Sequence, residues 1–221
     1  ASYAFTTLVT TDEYLPAALV VAHSLRLAHE AADAQDKSGL TGPRSEDIDL
    51  VALVTPGSLS VQSIRALLRV YDRVIGDGDD SNAVVDLSDA NLALLDRPDL
   101  GESQGAALTK LHAWRLTDYR KVVYLDADSL VLRPLSHLFH LSATFAASPD
   151  TGWPDIFNSG VMLLEPSQDT FEGLLNLAAS SGTWDGADQG LINEFFGGEK
   201  GSGAEGAGGG WTRLPFTYNM T

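Results

Sequence analysis

Cysteine is missing from the 221 residues. Its absence excludes a disulfide framework, thiolate zinc sites and cysteine nucleophiles, and it suits a reducing compartment. Basic residues are few: 14 Lys+Arg stand against 30 Asp+Glu, for a formal net charge of −16. A surface that acidic repels phosphate backbones and anionic lipid, so neither nucleic acid nor a membrane surface is expected as a partner. It does not repel a nucleotide carried in with a divalent cation, because the cation reverses the local sign. No apolar run approaches the roughly 20 residues that cross a bilayer. The start, Ala1 to Thr11, lacks a basic n-region and reads as a strand, so no secretory signal is expected. The expectation is a soluble, cytoplasmic protein.

What is present suits a folded domain. Hydrophobic residues make up 44% and charged ones 20%, which supplies a real core and excludes wholesale disorder. The length suits one large domain or two small ones. Tyr3 to Val9 is rich in β formers, and Thr10-Thr11-Asp12 offers caps to a helix running to about His29. Leu15, Leu19, Ala22, Leu25 and Leu27 fall near one face of that helix. Ala31 to Asp47 carries Gly39, Gly42 and Pro43 among charges and reads as a surface insertion. Asp49 to Thr55 is a continuous apolar run, the mark of a strand buried on both faces. Leu59 to Tyr71 is helical in period, and Arg73 to Ile75 is a further short strand.

The same alternation returns downstream. Ala106 to Tyr119 has helical spacing, Lys121 to Leu125 is a buried strand, and Ala143 to Ala147 and Gly160 to Leu164 are further strands. Ser167 to Ala179 and Asp188 to Phe196 are helical. Strands alternating with helices argue for an α/β fold on a parallel sheet. Gly197 to Gly210 has the composition of a flexible loop. No Lys-Ser/Thr pair follows it, as a phosphate-cradling loop would require.

The strongest local feature is Val122-Val123-Tyr124-Leu125-Asp126-Ala127-Asp128. It places two carboxylates where a buried strand emerges at its C-terminal edge, the edge at which open α/β sheets bind ligands. The two carboxylates are expected to converge on one point only if the chain turns there. A hard divalent cation is a reason to turn there, and Mg²⁺ or Mn²⁺ takes such oxygen ligands. A plain turn at Asp128-Ser129 is the alternative. Two enzyme classes use the pattern. In haloacid-dehalogenase-type phosphatases Asp126 would be the nucleophile and Asp128 its acid/base. That chemistry needs a downstream Lys and acidic pair, whereas the only later lysine is Lys200 and the pair Asp79-Asp80 lies upstream.

The second class is nucleotide-sugar glycosyltransfer. Colinear blocks carry it: Leu8-Val9-Thr10-Thr11-Asp12-Glu13-Tyr14, Arg97-Pro98-Asp99-Leu100-Gly101, Leu108-Thr109-Lys110-Leu111-His112-Ala113-Trp114 and Asp126-Ala127-Asp128. They continue through Pro149-Asp150-Thr151-Gly152-Trp153-Pro154-Asp155-Ile156-Phe157-Asn158-Ser159-Gly160, Asp185-Gly186-Ala187-Asp188-Gln189-Gly190-Leu191 and Leu214-Pro215-Phe216-Thr217-Tyr218-Asn219. In this order the chain resembles the family 8 retaining glycosyltransferases, in their glycogenin branch, throughout apart from insertions at about 31–47 and 197–211. The resemblance implies a single Rossmann-like GT-A domain over residues 1–221 with a mixed central sheet.

It also implies roles. Leu8, Thr10, Thr11 and Tyr14 would line a uridine pocket, Tyr14 with its ring face; family members usually carry Asn where Thr11 stands. Asp126 and Asp128 would hold Mn²⁺ (or Mg²⁺) against the UDP diphosphate, with the Ala127 backbone near the ribose. Arg97 and Lys110 would offset negative charge on the donor. Asn158 and Ser159 would bind glucose hydroxyls, and Asp185, Asp188 and Gln189 would sit by the sugar. Asp188 would face the anomeric centre, the leading catalytic carboxylate beside Lys110. The implied activity is Mn²⁺-dependent transfer from UDP-glucose that primes glycogen by self-glucosylation of a tyrosine. A homodimer is implied, and glycogen synthase is met through a tail that lies outside this sequence. The acceptor tyrosine and a His…Gly…Lys stretch with the third metal ligand are expected beyond Thr221. A donor-binding protein of impaired activity, or a family 8 transferase for another sugar or acceptor such as a galactinol synthase, are the alternatives. Among the remaining residues, His137 and His140 are read as surface or structural, His112 as packing support, and Trp114, Phe139, Trp153 and Phe157 as core.

Overall fold

The computed structural model describes residues 1–35, 43–55, 58–76, 109–202 and 205–220. They fall into two compact units, Ala1–Asp86 with Asp118–Ser142, and Leu87–Thr117 with Ala143–Thr221.

The first unit is built on four parallel strands. β1 (Tyr3–Val9) pairs with β2 (Ile48–Val54) on one side and β4 (Lys121–Leu125) on the other, and β3 (Arg73–Gly76) pairs with β2. The apolar run expected to be buried on both faces is β2, buried at every position but Asp49. α1 spans Leu15–Gln35 after a 3₁₀ turn at Asp12–Tyr14. It runs past the expected stop at His29 and into the stretch read as an insertion. Ala31, Ala32 and Ala34 are strong helix formers, and the first glycine comes only at Gly39. Leu27 is 68% exposed, against the expectation. It lies two residues past buried Leu25, so it points to the far side of the helix. α2 (Val61–Leu67) is shorter than its periodicity; Ser60 caps it by accepting the Ser63 N–H at 3.2 Å.

α1 also fixes the chain that follows β4. Ser24 Oγ accepts the Val131 N–H at 3.1 Å, and His29 Nε2 accepts the Leu135 N–H at 3.1 Å. His29 Nδ1 lies 2.8 Å from the Leu25 carbonyl and donates to it. Both ring nitrogens are used in the neutral form. Burial lowers the His29 pKa in spite of the Leu25 carbonyl, which favours the charged ring.

The second unit carries β5 (Phe145–Pro149), antiparallel to β6 (Phe157–Leu164) and parallel to the short β7 (Thr212–Arg213). α3 (Gln168–Ser181) is capped by Ser167, and α4 covers Asp188–Phe196. The helical spacing upstream of Tyr119 is realised as a 3₁₀ segment, Lys110–Arg115; residues 101–108 lie outside the described residues. An aromatic core holds the unit together. Phe145 stacks on Phe196 at 3.9 Å between ring centroids, and Phe157 meets Trp211 edge-on at 5.4 Å. Trp114, Phe157 and, in the first unit, Phe139 are buried as expected. His112 packs its ring on Phe171 at 5.1 Å, the support role read from the sequence. His137 and His140 sit on a short 3₁₀ turn and are exposed.

The glycine-rich stretch after α4 departs from expectation. Gly206 and Gly210 donate to the Phe196 carbonyl and Gly208 to that of Phe195, while Lys200 donates to Trp211. A Cβ on Gly206 would lie 2.4 Å from the Phe195 carbonyl oxygen. The glycines serve a close approach of backbone to the end of α4, a use that composition alone does not distinguish from a linker.

Candidate active site

In the first unit the strands run in the order β3-β2-β1-β4. Chain connections leave β1 toward β2 on one side, and β4 lies on its other side, so the topological switch point falls between β1 and β4. In open α/β sheets ligands bind there, beyond the carboxyl ends of the strands. β1 delivers Leu8, and just past it Thr10, Thr11 and Tyr14; β4 delivers Asp126, Ala127 and Asp128. Because β1 and β4 are parallel and in register, Thr6 opposite Tyr124, both groups emerge at the same edge. Tyr14 is exposed and Leu8 and Thr10 are half-buried.

The chain turns after Leu125, a turn common to the metal reading and to the plain-turn alternative: Ser129 N–H donates to the Asp126 carbonyl at 3.0 Å. Tyr124 O–H donates to Asp126 Oδ1 at 3.0 Å, which orients that carboxylate. Asp128 is exposed. Hard carboxylate oxygens on a turn at a ligand-binding edge fit Mg²⁺ or Mn²⁺. Among the described residues no group of three or more His, Asp or Glu gathers around a common point, so these two would supply only part of a coordination shell.

The second unit gathers the residues expected around the sugar. Lys110 Nζ lies 2.7 Å from Asp188 Oδ2, with side chains 7% and 14% exposed. Ser159 O–H donates to the same Asp188 oxygen at 2.7 Å, and Lys110 also reaches Ser159 Oγ at 3.3 Å. Asp188 opens α4, where the helix dipole favours a negative charge. One oxygen is thus held by an ammonium and a hydroxyl, and the other has no hydrogen-bond partner among the described residues.

Two amides one turn apart on α4 register it against β6. Gln189 Oε1 accepts the Ser159 N–H at 3.0 Å; Asn193 Oδ1 accepts the Phe157 N–H at 3.0 Å and its Nδ2 donates to the Phe157 carbonyl at 2.8 Å. Four helical residues rise about 6 Å and two strand residues about 6.6 Å, so the two periods match.

Several placements were not legible beforehand. Asp185 uses both carboxylate oxygens inside its own loop: Oδ1 accepts from Thr183 O–H and Ala187 N–H, Oδ2 from Gly190 N–H. It shapes the entry to α4 before it can meet a sugar. A Cβ at residue 190 would lie 2.2 Å from Asp185 Oδ1, which explains the glycine after Gln189. Trp153, expected in the core, is 69% exposed; its loop, Asp150 to Ile156, follows the end of β5 and cannot share the interior. Asp150, marked in the sequence only as part of a colinear block, bonds to both Asn158 and Gln189. Its signal was an Asp-x-Gly turn two residues long, which says nothing about a distant amide. Arg97 lies outside the described residues.

The family model described as Glycosyl transferase family 8 matches residues 5–221. A glycogenin of Cryptococcus neoformans var. grubii is 42% identical over 234 residues, covering 99% of this chain and 23% of its own length. Human glycogenin-1 is 40% identical over 228 residues, covering 99% of this chain and 53% of its own length. The chain therefore spans about a quarter to half of these curated relatives. Among solved structures, the WbbM bifunctional glycosyltransferase matches with a TM-score of 0.62 at 16% identity, over 98% of this chain and 39% of that one. That likeness speaks to the fold alone, the α/β fold of GT-A glycosyltransferases.

Proposed function

The chain belongs to glycosyl transferase family 8, and from that premise we propose that it transfers glucose from UDP-glucose with retention of configuration, glucosylating a tyrosine to prime glycogen. The observation that supports this reading best is the Lys110–Ser159–Asp188 cluster, in which a buried ammonium and a hydroxyl hold one oxygen of a carboxylate and leave the other open. A retaining transfer calls for a carboxylate at the anomeric centre or for front-face attack on an ion pair. Asp188 is built for the first role: its position is fixed from two sides, and the Lys110 charge offsets its own.

On the donor side, Leu8, Thr10, Thr11 and Tyr14 take the uridine, the Ala127 backbone lies near the ribose, and Asp126 and Asp128 hold Mn²⁺. Bound there, the cation supplies Lewis-acid stabilisation of the departing diphosphate. Arg97 offsets diphosphate charge. Asn158, Ser159, Asp185 and Gln189 hold the glucose. The reading includes a homodimer, glycogen synthase as a partner of a further segment, and a cytoplasmic setting. No helix among the described residues is long and apolar enough to cross a membrane.

The test is Asp188→Asn, nearly isosteric and outside the proposed metal-ligand pair. UDP affinity should stay within a few-fold, while UDP-glucose hydrolysis or transfer to an added maltoside falls by about two orders of magnitude or more. Turnover at the parent rate would leave Asp188 a sugar-binding residue and make front-face attack the leading mechanism.

A further inference from the structure

Asp150 sits at the end of β5 and touches neither Asp188 nor Lys110, yet every oxygen lone-pair direction of its carboxylate is committed. Oδ1 accepts the N–H groups of Gly152 at 2.8 Å and Trp153 at 3.1 Å, an Asx-type turn that needs one oxygen and nothing more. Oδ2 is used differently. It accepts from Asn158 Nδ2 at 3.4 Å and from Gln189 Nε2 at 3.3 Å, on two different elements, β6 and α4. Burial by itself would raise the Asp150 pKa. The N–H donors from Gly152, Asn158, Trp153 and Gln189 outweigh it and lower the value.

We infer that Asp150 is a positioning residue for donor-sugar recognition, fixing which way the Asn158 and Gln189 amides face. Each amide is oriented from both ends. The Asn158 oxygen accepts from Gly160 N–H at 2.8 Å and from Asn219 Nδ2 at 2.6 Å; the Gln189 oxygen accepts from Ser159 N–H at 3.0 Å. The nitrogens then meet the Asp150 carboxylate, which as an ion can only accept. Each NH₂ keeps one further hydrogen for a ligand. The pair therefore presents donors, suited to the lone pairs of pyranose hydroxyls. This inference rests on the reading of the second-unit cluster as the glucose pocket.

Asn at position 150 separates the two jobs of the carboxylate. Its amide oxygen can serve the Gly152 and Trp153 N–H groups, the shorter bonds, and Asn forms such turns as readily as Asp. Its NH₂ then faces two NH₂ groups, and no rotation satisfies both sides. The experiment is saturation-transfer NMR with UDP-glucose in Mn²⁺ buffer, alongside calorimetry with UDP, on the wild-type chain, Asp150→Asn and Asp150→Glu. In the wild type, saturation should reach both the uridine and the glucose protons. In Asp150→Asn the glucose-to-uridine ratio should fall at least threefold, with UDP affinity within twofold and the melting temperature close to wild type. Asp150→Glu, which restores a carboxylate acceptor, should recover part of the ratio.

An unchanged ratio in Asp150→Asn overturns the inference while the glucose-pocket reading stands. A parallel loss of UDP affinity, melting temperature and glucose contact reduces Asp150 to a structural residue. Failure of Asp150→Asn to fold, with a wild-type ratio in a folded Asp150→Glu, does the same. A wild-type chain that binds UDP-glucose with no saturation of its glucose protons overturns the pocket reading, and this inference with it.

Discussion

Removing either member of the Lys110–Asp188 pair should destabilise the chain, and removing both should cost clearly less than the sum. The pair is 2.7 Å apart and nearly closed to solvent, at 7% and 14% side-chain exposure. Breaking a buried pair from one side typically costs about 3–5 kcal/mol, because it strands the other charge. The two sides are unequal here. In Asp188→Ala the ammonium loses its carboxylate at 2.7 Å while the Ser159 oxygens stay at 3.3 and 3.5 Å, so the cost should lie within that range, about 3–4 kcal/mol. In Lys110→Met the carboxylate keeps the Ser159 hydroxyl at 2.7 Å and the start of α4. A hydrogen bond to a charged group contributes about 1.5–3 kcal/mol and the helix end up to about 1, so the cost drops to about 2.

The double variant strands no charge, and the coupling energy should be about 2 kcal/mol or more. The assay is urea unfolding followed by tryptophan fluorescence. Trp114 and Trp211 are buried in the same unit as the pair and report on it. Repeating the cycle in 1 M salt should change the coupling little, since buried pairs are poorly screened. Additive single and double effects, within about 0.5 kcal/mol, would refute the reasoning.

Two more outcomes follow from individual residues. Burial, with the Arg115 charge adding to it, holds the His112 pKa down to about 3 from an ordinary 6.5. Above pH 6.5 the ring is neutral in both states; below it the unfolded chain takes a proton that the folded one refuses, so stability falls as pH drops through that window. Between pH 7.5 and 5.5 the wild type should lose about 1.4 kcal/mol more than His112→Leu in urea titrations, and equal losses would contradict the burial account. At the proposed metal site, Asp128→Asn should weaken Mn²⁺-dependent UDP binding at least tenfold, about 1.4 kcal/mol, by calorimetry with and without the metal. An unchanged metal dependence would dismiss Asp128 as a ligand.

Much was legible in the order of residues because strands buried on both faces and capped helices leave local marks. Lys121–Leu125 and Asp188–Phe196 have the bounds that apolar run length and the flanking Asp and Gly signal. The paired carboxylates after β4 were legible too, since a turn at the end of a buried strand is a local event. Sequence spacing says where a chain turns and which residues share an element. It does not say which side chains meet across elements. Lys110, Ser159 and Asp188 lie up to 78 residues apart, and only the packing of the Lys110–Arg115 turn against β6 and α4 makes them one cluster.

The same limit hid Asp150, whose local pattern is an ordinary turn and whose second oxygen acts on two remote amides. It misplaced Trp153, because an aromatic ring reads as core until the loop carrying it is seen to leave the interior. It also misread the glycines after α4, since composition cannot tell a backbone that needs freedom from one that must lie close to its neighbour. Local chemistry along the chain set the strands, the caps and the turn at Asp126–Ser129; the long-range hydrogen bonds that aim a carboxylate or an amide exist only once those elements have packed.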